Sequence, residues 1–272
     1  MTYRDGAGVS SLLESVKPVS GSPRRAKSLA ELQARSKQLR RETLELGTAH
    51  GGYHFGGSFS AIEILVALYD LVMGPEDRFI FSKGHACWPW YVILRERGFK
   101  PELAGHPSLD LSNGITCTTG SEGHGLPIGI GMAMARKRLG RAGRVYVLMG
   151  DGECQEGTTW ESLLVAAHHR LDNLVAIVDF NGIQGSGYTG DILPVTGLAS
   201  VATTLGWAAT EIDGHAYPAL MDALRDMTPG RPRLIVAHTI KGKGVSYMEN
   251  RPEWHAKFPN PDELSKAYEE LQ

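Results

Sequence analysis

Cysteine is scarce in this sequence of 272 residues: Cys87, Cys117 and Cys154 are the three present, and none lies in a CxxC pair. An odd number of separated cysteines suits neither a disulfide framework nor a cysteine zinc site, so we expect a reducing, cytoplasmic environment. Long apolar runs are also lacking, since no stretch approaches the ~18 apolar residues of a membrane span. The first residues contain no apolar signal segment either.

An excess of charge of one sign is missing as well. The formal net charge is −2, and 42% of the residues are hydrophobic, which is typical of a soluble globular protein without a nucleic-acid or anionic-membrane partner. A basic run lies near the start, at Arg24, Arg25, Lys27, Arg35, Lys37, Arg40 and Arg41. They could bind a polyanion or form the solvated face of a helix. The interleaved Glu31, Glu42 and Glu45 favour the helix face.

The chain beyond its first residues alternates strand-like and helix-like segments. Residues 1–25 are rich in glycine, proline and serine and are predicted to be loosely ordered, whereas 26–272 are predicted to form one domain. Strands are predicted at 78–82, 144–149, 174–180, 208–212 and 234–238, and helices at 61–72, 129–137, 158–170 and 216–227. Continuous apolar strands separated by helices predict an α/β fold with a parallel sheet that is covered by helices on both faces.

Polar residues follow two of the buried strands directly. Gly150, Asp151 and Gly152 come after strand 144–149, and Asn181 comes after strand 174–180. Parallel strands end at the same edge of a sheet, where ligands bind, so we expect these loops to lie together. A carboxylate and an amide oxygen are ligands that suit Mg²⁺, which completes its coordination with phosphate and water. The pattern predicts a site for a magnesium-bound phosphate.

The segment from Gly150 to Gln184 resembles, in order and spacing, the thiamine diphosphate motif of the transketolase family. The resemblance implies the thiamine-diphosphate-binding fold, with Mg²⁺ held by Asp151, the Asn181 side chain and the Ile183 carbonyl. Five further segments resemble family loops in the same order, at 50–58, 77–86, 105–107, 119–125 and 241–255. The cofactor contacts that the resemblance implies are His85, Gly120, Ser121, Glu122, His124, Gly150, Asp151, Gly152, Glu156, Glu161, Asn181, Lys241 and His255.

Several of the ten histidines lie in glycine-rich loops. Transketolase chemistry cleaves a carbon–carbon bond of a ketose and moves protons between sugar hydroxyls and the protein, which imidazole can do near neutral pH. The resemblance implies that His54 and His255 flank the reacting hydroxyl and that His106 holds a terminal hydroxyl of the donor. The remaining histidines within predicted elements or connections are interpreted as structural: His168, His169, His215 and His238.

Three glutamates require separate interpretation. Glu156 and Glu161 open a predicted helix, where they could simply favour the helix dipole, or, as the resemblance implies, line a subunit interface around the cofactor. Glu122 stands where the family usually has an apolar residue packed near the cofactor ring. Because a buried unpaired carboxylate is costly, Glu122 is expected either to face solvent or to contact an unusual substrate.

The chain is less than half as long as a complete transketolase. The resemblance covers residues 30–260 and omits the pyrimidine-binding domain, so we expect an obligate partner chain that carries this domain, in a heterotetramer. The predicted activity is transfer of a two-carbon ketol unit between sugar phosphates. Two alternatives stay open: another thiamine-dependent ketol or acyl transferase, such as a relative of deoxyxylulose-phosphate synthase, or a non-catalytic subunit.

Overall fold

The computed structural model describes residues 27–272, so the predicted loose segment 1–25 lies outside the described residues. Seven strands are present in the described part, in chain order β1 (Arg78–Phe81), β2 (Val145–Gly150), β3 (Leu174–Phe180), β4 (Ile183–Gln184), β5 (Gly187–Tyr188), β6 (Ala208–Asp213) and β7 (Arg233–His238). Five of them form one parallel sheet in the spatial order β1-β2-β3-β7-β6, and β4 and β5 form a small antiparallel hairpin. The predicted parallel sheet is confirmed.

The α-helices of the described part surround this sheet. They are α1 (Leu29–Ala49), α2 (Phe55–Ser60), α3 (Ile62–Val66), α4 (Trp88–Glu96), α5 (Gly125–Arg138), α6 (Gly157–His168), α7 (Thr189–Ile192), α8 (Leu198–Thr204), α9 (Tyr217–Arg225) and α10 (Pro261–Glu270). Within residues 27–272 no helix is long and apolar enough to cross a membrane.

Alternation along the strands sends apolar side chains to both faces of the sheet, as a strand's period of two requires. In β3, Val175 and Ile177 belong to the core on one face, with α1, α3, α4 and α9, while Ala176 and Val178 belong to the core on the other, with α5, α6 and α8. All four side chains are fully buried. This two-sided burial explains why the strands read as continuous apolar runs rather than as alternating ones.

The strand order creates a crevice at one edge of the sheet. The chain proceeds from β1 through β2 to β3, then passes to the outer strand β6 and returns inward to β7. Because the direction of winding reverses, α9 packs on the opposite face from α5 and α6. Such a switch point is where ligands bind in open parallel sheets.

Two sequence predictions need correction in detail. The stretch 61–72 is not one α-helix, because α3 ends at Val66 and Ala67–Val72 forms a π-helical turn. The basic residues of α1 do not form a uniformly solvated face, because Arg40 is buried and donates to the Glu63 carboxylate at 2.7 Å. Glu63 also accepts from Nδ1 of His215 at 2.9 Å, while the Ile240 N–H donates to Nε2 of that ring. This chain of contacts ties α1 and α3 to the loop after β7, which is a structural role for His215.

Two glycines of α5 predict opposite effects on stability. A Cβ at Gly129 would lie 2.5 Å from Val147 Cγ2, in the middle of β2, whereas a Cβ at Gly131 meets nothing within 4 Å among the described residues. Gly131→Ala should raise the free energy of unfolding by about 0.5–1 kcal/mol through helix propensity. Gly129→Ala should lower it relative to Gly131→Ala by about 2 kcal/mol, because the core must shift. Urea denaturation measures both, and equal stabilities would contradict close packing of α5 on β2.

Candidate active site at the carboxyl edge of the sheet

A pocket of about 210 Å³ opens at the carboxyl ends of β2, β3 and β7. Its lining includes nine of the predicted site residues, His85, Glu122, Gly150, Asp151, Gly152, Asn181, Ile183, Lys241 and His255. These residues come from sequence positions more than 160 apart, and the strand order of the parallel sheet brings them to one place. The loops after the two neighbouring strands therefore lie together, as the sequence pattern predicts.

Asp151 is held at the base of the pocket by the ends of two strands. Its Oδ1 accepts from the Gly152 N–H at 2.9 Å, and its Oδ2 accepts from the Gly182 N–H at 2.6 Å and from the Thr189 hydroxyl at 3.1 Å. Burial raises the pKa of Asp151 above its usual value, and the charge of Asp179 adds to that effect. A carboxylate whose charge is penalised in this way is a favourable ligand for a cation.

Asn181 and Ile183 supply two neutral oxygens on the facing loop. The Asn181 amide nitrogen lies 3.4 Å from the Ser60 hydroxyl, which orients the amide, and its Oδ1 accepts from the Ile183 N–H at 3.2 Å. The Ile183 carbonyl accepts from Lys241 Nζ at 2.9 Å. One carboxylate and two neutral oxygens form a hard donor set with room for phosphate and water ligands, which fits Mg²⁺.

A buried ion pair lies beneath the pocket. Lys83 Nζ contacts Asp179 Oδ2 and donates to the Gly57 carbonyl at 3.1 Å, and the Lys83 and Asp179 side chains are almost completely buried. The Ser60 and Thr239 hydroxyls also donate to the Asp179 carboxylate. Burial alone would raise the pKa of Asp179, but Lys83 and the two hydroxyls outweigh it and hold this pKa below its usual value.

Three imidazole rings form a triangle at the mouth of the pocket. The ring centroids of His54, His85 and His255 are each 5.1 Å from the other two. His54 Nδ1 donates to the His255 carbonyl at 2.5 Å, and because a carbonyl can only accept, its Nε2 is left as an acceptor. Lys241 Nζ donates to His255 Nδ1 at 3.0 Å, so Nε2 of His255 carries the proton. The two rings therefore present an acceptor and a donor.

Burial keeps these rings neutral. It lowers the pKa of His54, although the bond to the His255 carbonyl opposes the shift, and it lowers the pKa of His85 well below the usual value with help from Lys83. Burial and the Lys241 charge lower the pKa of His255 to about 3. Burial and the nearby Lys83 charge also lower the pKa of Lys241, to about 8. A neutral imidazole has one nitrogen that can accept a proton and one N–H that can donate a hydrogen bond.

Glu122 does not simply face solvent. Its side chain is 41% exposed, lines the pocket and places Oε1 3.4 Å from His85 Nδ1. Burial raises the pKa of Glu122, and the charges of Glu156 and Asp151 raise it further, against the lowering effect of Lys83. The carboxylate therefore lies in the wall of the pocket, where an entering ligand would meet it.

The remaining predicted residues surround the pocket without lining it. The His106 ring lies against Gly120, where an added Cβ would meet it at 3.3 Å. His124 Nδ1 contacts the Glu122 carbonyl at 2.9 Å and the Ser121 hydroxyl at 3.3 Å. Glu156 and Glu161 are exposed, with Glu156 preceding α6 and Glu161 lying beyond its first turn. Glu161 therefore lies too far from the start of the helix for a favourable interaction with the helix dipole.

Sequence reasoning missed three charged residues of the site. Glu153 is almost fully buried, where its carboxylate accepts from the Ser82 hydroxyl and from the N–H groups of Gly123 at 3.0 Å and Gly150 at 3.2 Å. It thereby joins the ends of β1 and β2 to the loop before α5, and burial raises its pKa to about 7. Lys83 and Asp179 were the others. A charged residue within or directly after an apolar strand was the available signal for both.

The low pKa of His255 predicts pH-dependent stability. An unfolded histidine takes up a proton below about pH 6.5, whereas folded His255 does so only near pH 3. Its contribution is fully present above pH 6.5 and is lost as the pH falls towards 3, by up to about 1.4 kcal/mol per pH unit. Urea denaturation of wild type and His255→Asn between about pH 7 and 5 should show the shallower pH dependence in the variant. Equal dependences would contradict a neutral, buried His255.

Comparisons with known proteins identify the family of this chain. Residues 70–271 match the family described as "Transketolase, thiamine diphosphate binding domain". The chain is 38% identical over 268 residues to a subunit of the apulose-4-phosphate transketolase of Actinobacillus succinogenes, covering 90% of this chain and 97% of that protein. It is 35% identical over 265 residues to the 6-deoxy-6-sulfo-D-fructose transketolase subunit SqwG of Clostridium sp. (strain MSTE9), covering 89% of this chain and 96% of that protein.

Solved structures agree with these relatives. The transketolase of Campylobacter jejuni superposes with a TM-score of 0.77 at 26% identity, covering 89% of this chain and 43% of that one. The chain thus spans less than half of this solved transketolase but nearly the full length of the two relatives that are named as subunits. The chain therefore belongs to the transketolase family, with the thiamine-diphosphate-binding fold, and corresponds to the N-terminal subunit of split transketolases.

Proposed function

We propose that this chain binds thiamine diphosphate through Mg²⁺ and, with a partner chain, transfers a two-carbon ketol unit between sugars. One observation carries the proposal: the oxygens of Asp151, Asn181 and Ile183 lie in one pocket with a buried ammonium group and His255. Three hard oxygens suit the metal, and Lys241 offsets the charge of a diphosphate. The donor groups of this pocket and the family match therefore support the same cofactor.

The chain's own residues divide into those that hold the cofactor and those that move protons. Asp151, Asn181 and the Ile183 carbonyl would hold Mg²⁺, while Lys241 and His85 would face the diphosphate. Bound thiamine diphosphate supplies the electron sink for carbon–carbon bond cleavage. These groups fit it, because the pocket combines a cation site with donors for an anion and is lined by Gly150 and Gly152, which have no side chains to occupy it.

His54 can accept a proton from a substrate hydroxyl, and His255 can donate a hydrogen bond to a neighbouring oxygen. The bond from His54 Nδ1 to the His255 carbonyl leaves His54 Nε2 as the base, and the contact with Lys241 leaves His255 Nε2–H as the donor. The rings lie 5.1 Å apart, close enough to act on neighbouring oxygens of one substrate. Positioned proton transfer of this kind contributes ~10²–10⁴-fold to a rate.

The proposed substrates are sugar phosphates, because the Actinobacillus succinogenes relative is named for one. The Clostridium relative is named for a sulfonated sugar, and Glu122 lines the pocket where a substrate would pass. Another thiamine-dependent ketol or acyl transferase is therefore the second candidate, and a screen of ketose phosphates against pyruvate and other ketones separates the two. A non-catalytic role is disfavoured by the intact donor set, and a cytoplasmic location stays a prediction.

We also propose that the partner chain covers α6. Both relatives are named as single subunits of a transketolase, which supports a second polypeptide, and we propose that it carries the pyrimidine-binding domain. Leu164 and Val165 are 55% and 42% exposed on the helix that carries Glu161 and begins next to the pocket. Exposed apolar residues beside a site typify an interface. A heterotetramer with two copies of each chain is the proposed assembly.

Replacement of the metal ligand tests cofactor binding. Calorimetric titration of thiamine diphosphate with Mg²⁺ should show tight binding to the complex of this chain with its partner. Asp151→Ala should weaken it by at least about 100-fold, because an essential oxygen ligand is lost. Asp191→Ala, an exposed aspartate of α7, is the matched control and should bind like wild type. A well-folded complex without detectable binding would support the non-catalytic alternative.

A charge on α6 tests the partner surface. Leu164→Glu should leave folding unchanged, since the side chain is 55% exposed, but should weaken association with the partner by about 2 kcal/mol or more, as truncation at the centre of an interface does. Leu29→Glu, at the start of α1 and 50% exposed, should associate normally. Size-exclusion chromatography with light scattering measures both, and normal assembly of the Leu164 variant would place the interface elsewhere.

A further inference from the structure

The Lys241 ammonium group lies where it competes with a metal ion. Its Nζ donates to the Ile183 carbonyl at 2.9 Å and to His255 Nδ1 at 3.0 Å. The lysine is almost fully buried, so water cannot screen its charge effectively. The carbonyl is the same oxygen that completes the proposed Mg²⁺ ligand set with Asp151 and Asn181.

The other two proposed ligands remain able to accept a metal. Asp151 Oδ1 accepts one hydrogen bond among the described residues, from Gly152, and Asn181 Oδ1 accepts one, from Ile183. An oxygen of either type can accept two. At Ile183, by contrast, the carbonyl oxygen already accepts from the positively charged Lys241 ammonium group. A divalent ion on the same oxygen would lie within a few ångströms of that charge.

The backbone at Lys241 is fixed, so relief of this conflict must come from its side chain. The Lys241 carbonyl accepts from the Asn250 N–H at 2.9 Å, and the Gly242 N–H donates to the Gly56 carbonyl at 2.9 Å. Gly242 has a φ of +77°, and a Cβ there would lie 2.4 Å from the Met248 carbonyl oxygen. The loop cannot shift readily, whereas the Lys241 side chain can rotate towards an anion in the pocket.

We propose that Lys241 is a gating cation that hinders binding of the metal alone and is drawn from the Ile183 carbonyl by the diphosphate of the cofactor. This inference rests on the proposed function. The diphosphate gives the ammonium group a new partner and frees the carbonyl for the metal, so each ligand strengthens the binding of the other. By linkage, the factor by which diphosphate improves metal affinity equals the factor by which metal improves diphosphate affinity.

Metal affinity in two variants tests the gate. Mn²⁺, which reports its free concentration by electron paramagnetic resonance, is titrated into the full-length chain in complex with its partner, with and without thiamine diphosphate. Lys241→Met removes the charge, and Lys241→Gln removes it while keeping a donor for the Ile183 carbonyl. Without cofactor, both should bind Mn²⁺ about 10-fold or more tighter than wild type, within the usual range of coupling between sites.

The same titration shows whether the two ligands are coupled through Lys241. Thiamine diphosphate should tighten Mn²⁺ binding to wild type by a factor about 10-fold larger than in either variant, where only direct ligation of the metal by the diphosphate remains. Lys243→Met is the matched control, because its ammonium group is more exposed and lies 3.5 Å from Glu249; it should behave as wild type. Urea denaturation confirms that each variant is folded.

Two outcomes would overturn the gate, and they differ from failure of the proposed function. If wild type binds metal and cofactor together but the folded Lys241 variants bind Mn²⁺ alone no more tightly, the lysine is only a diphosphate contact. If the variants keep the full enhancement by thiamine diphosphate, the coupling arises elsewhere. If wild type in its complex binds neither ligand, the proposed function itself is wrong.

Discussion

The buried pair of Lys83 and Asp179 is the interaction on which the site depends. Lys83 follows β1, Asp179 lies in β3, and the carboxylate also accepts from Ser60 in α2 and from Thr239 after β7. Four elements are thus fixed to one carboxylate, including the strands whose ends form the crevice. Removing one partner of such a buried pair costs about 3–5 kcal/mol, although an apolar replacement of both can be neutral. Its main effect is therefore on the geometry of the site rather than on the stability of the fold.

The pair also sets the electrostatics above it. Because Asp179 balances Lys83, the pocket keeps one further buried cation, Lys241, opposite the carboxylate of Asp151. Burial and these cations together keep His85 and His255 neutral. A divalent cation and a diphosphate that bind together bring nearly balanced charges into the pocket. A cation alone meets the charge of Lys241, and a diphosphate alone meets the charge of Asp151. The same cations therefore support both proton transfer by neutral imidazoles and joint binding of metal and cofactor.

The sequence was sufficient for the parallel sheet and for the loops that meet at its carboxyl edge, since both depend on local patterns. The strand 174–180 was predicted with its observed bounds, and Asp151 and Asn181 follow strands that are neighbours in the sheet. Contacts between distant residues could not be derived from spacing. The triangle of His54, His85 and His255 and the burial of Arg40 against Glu63 depend on tertiary packing. Helix α4 was missed because its buried residues, Trp88–Leu94, form a short continuous apolar run, which periodicity alone cannot assign to a helix or a strand.

Anomalous diffraction from crystals of the complex with its partner, grown with Mn²⁺ and thiamine diphosphate, tests the central claim most directly. One strong peak is expected within inner-sphere distance of the Asp151, Asn181 and Ile183 oxygens. We also expect Lys241 Nζ to contact a phosphate oxygen instead of the Ile183 carbonyl. A metal peak elsewhere, or an occupied site with Lys241 still bonded to Ile183, would contradict that claim.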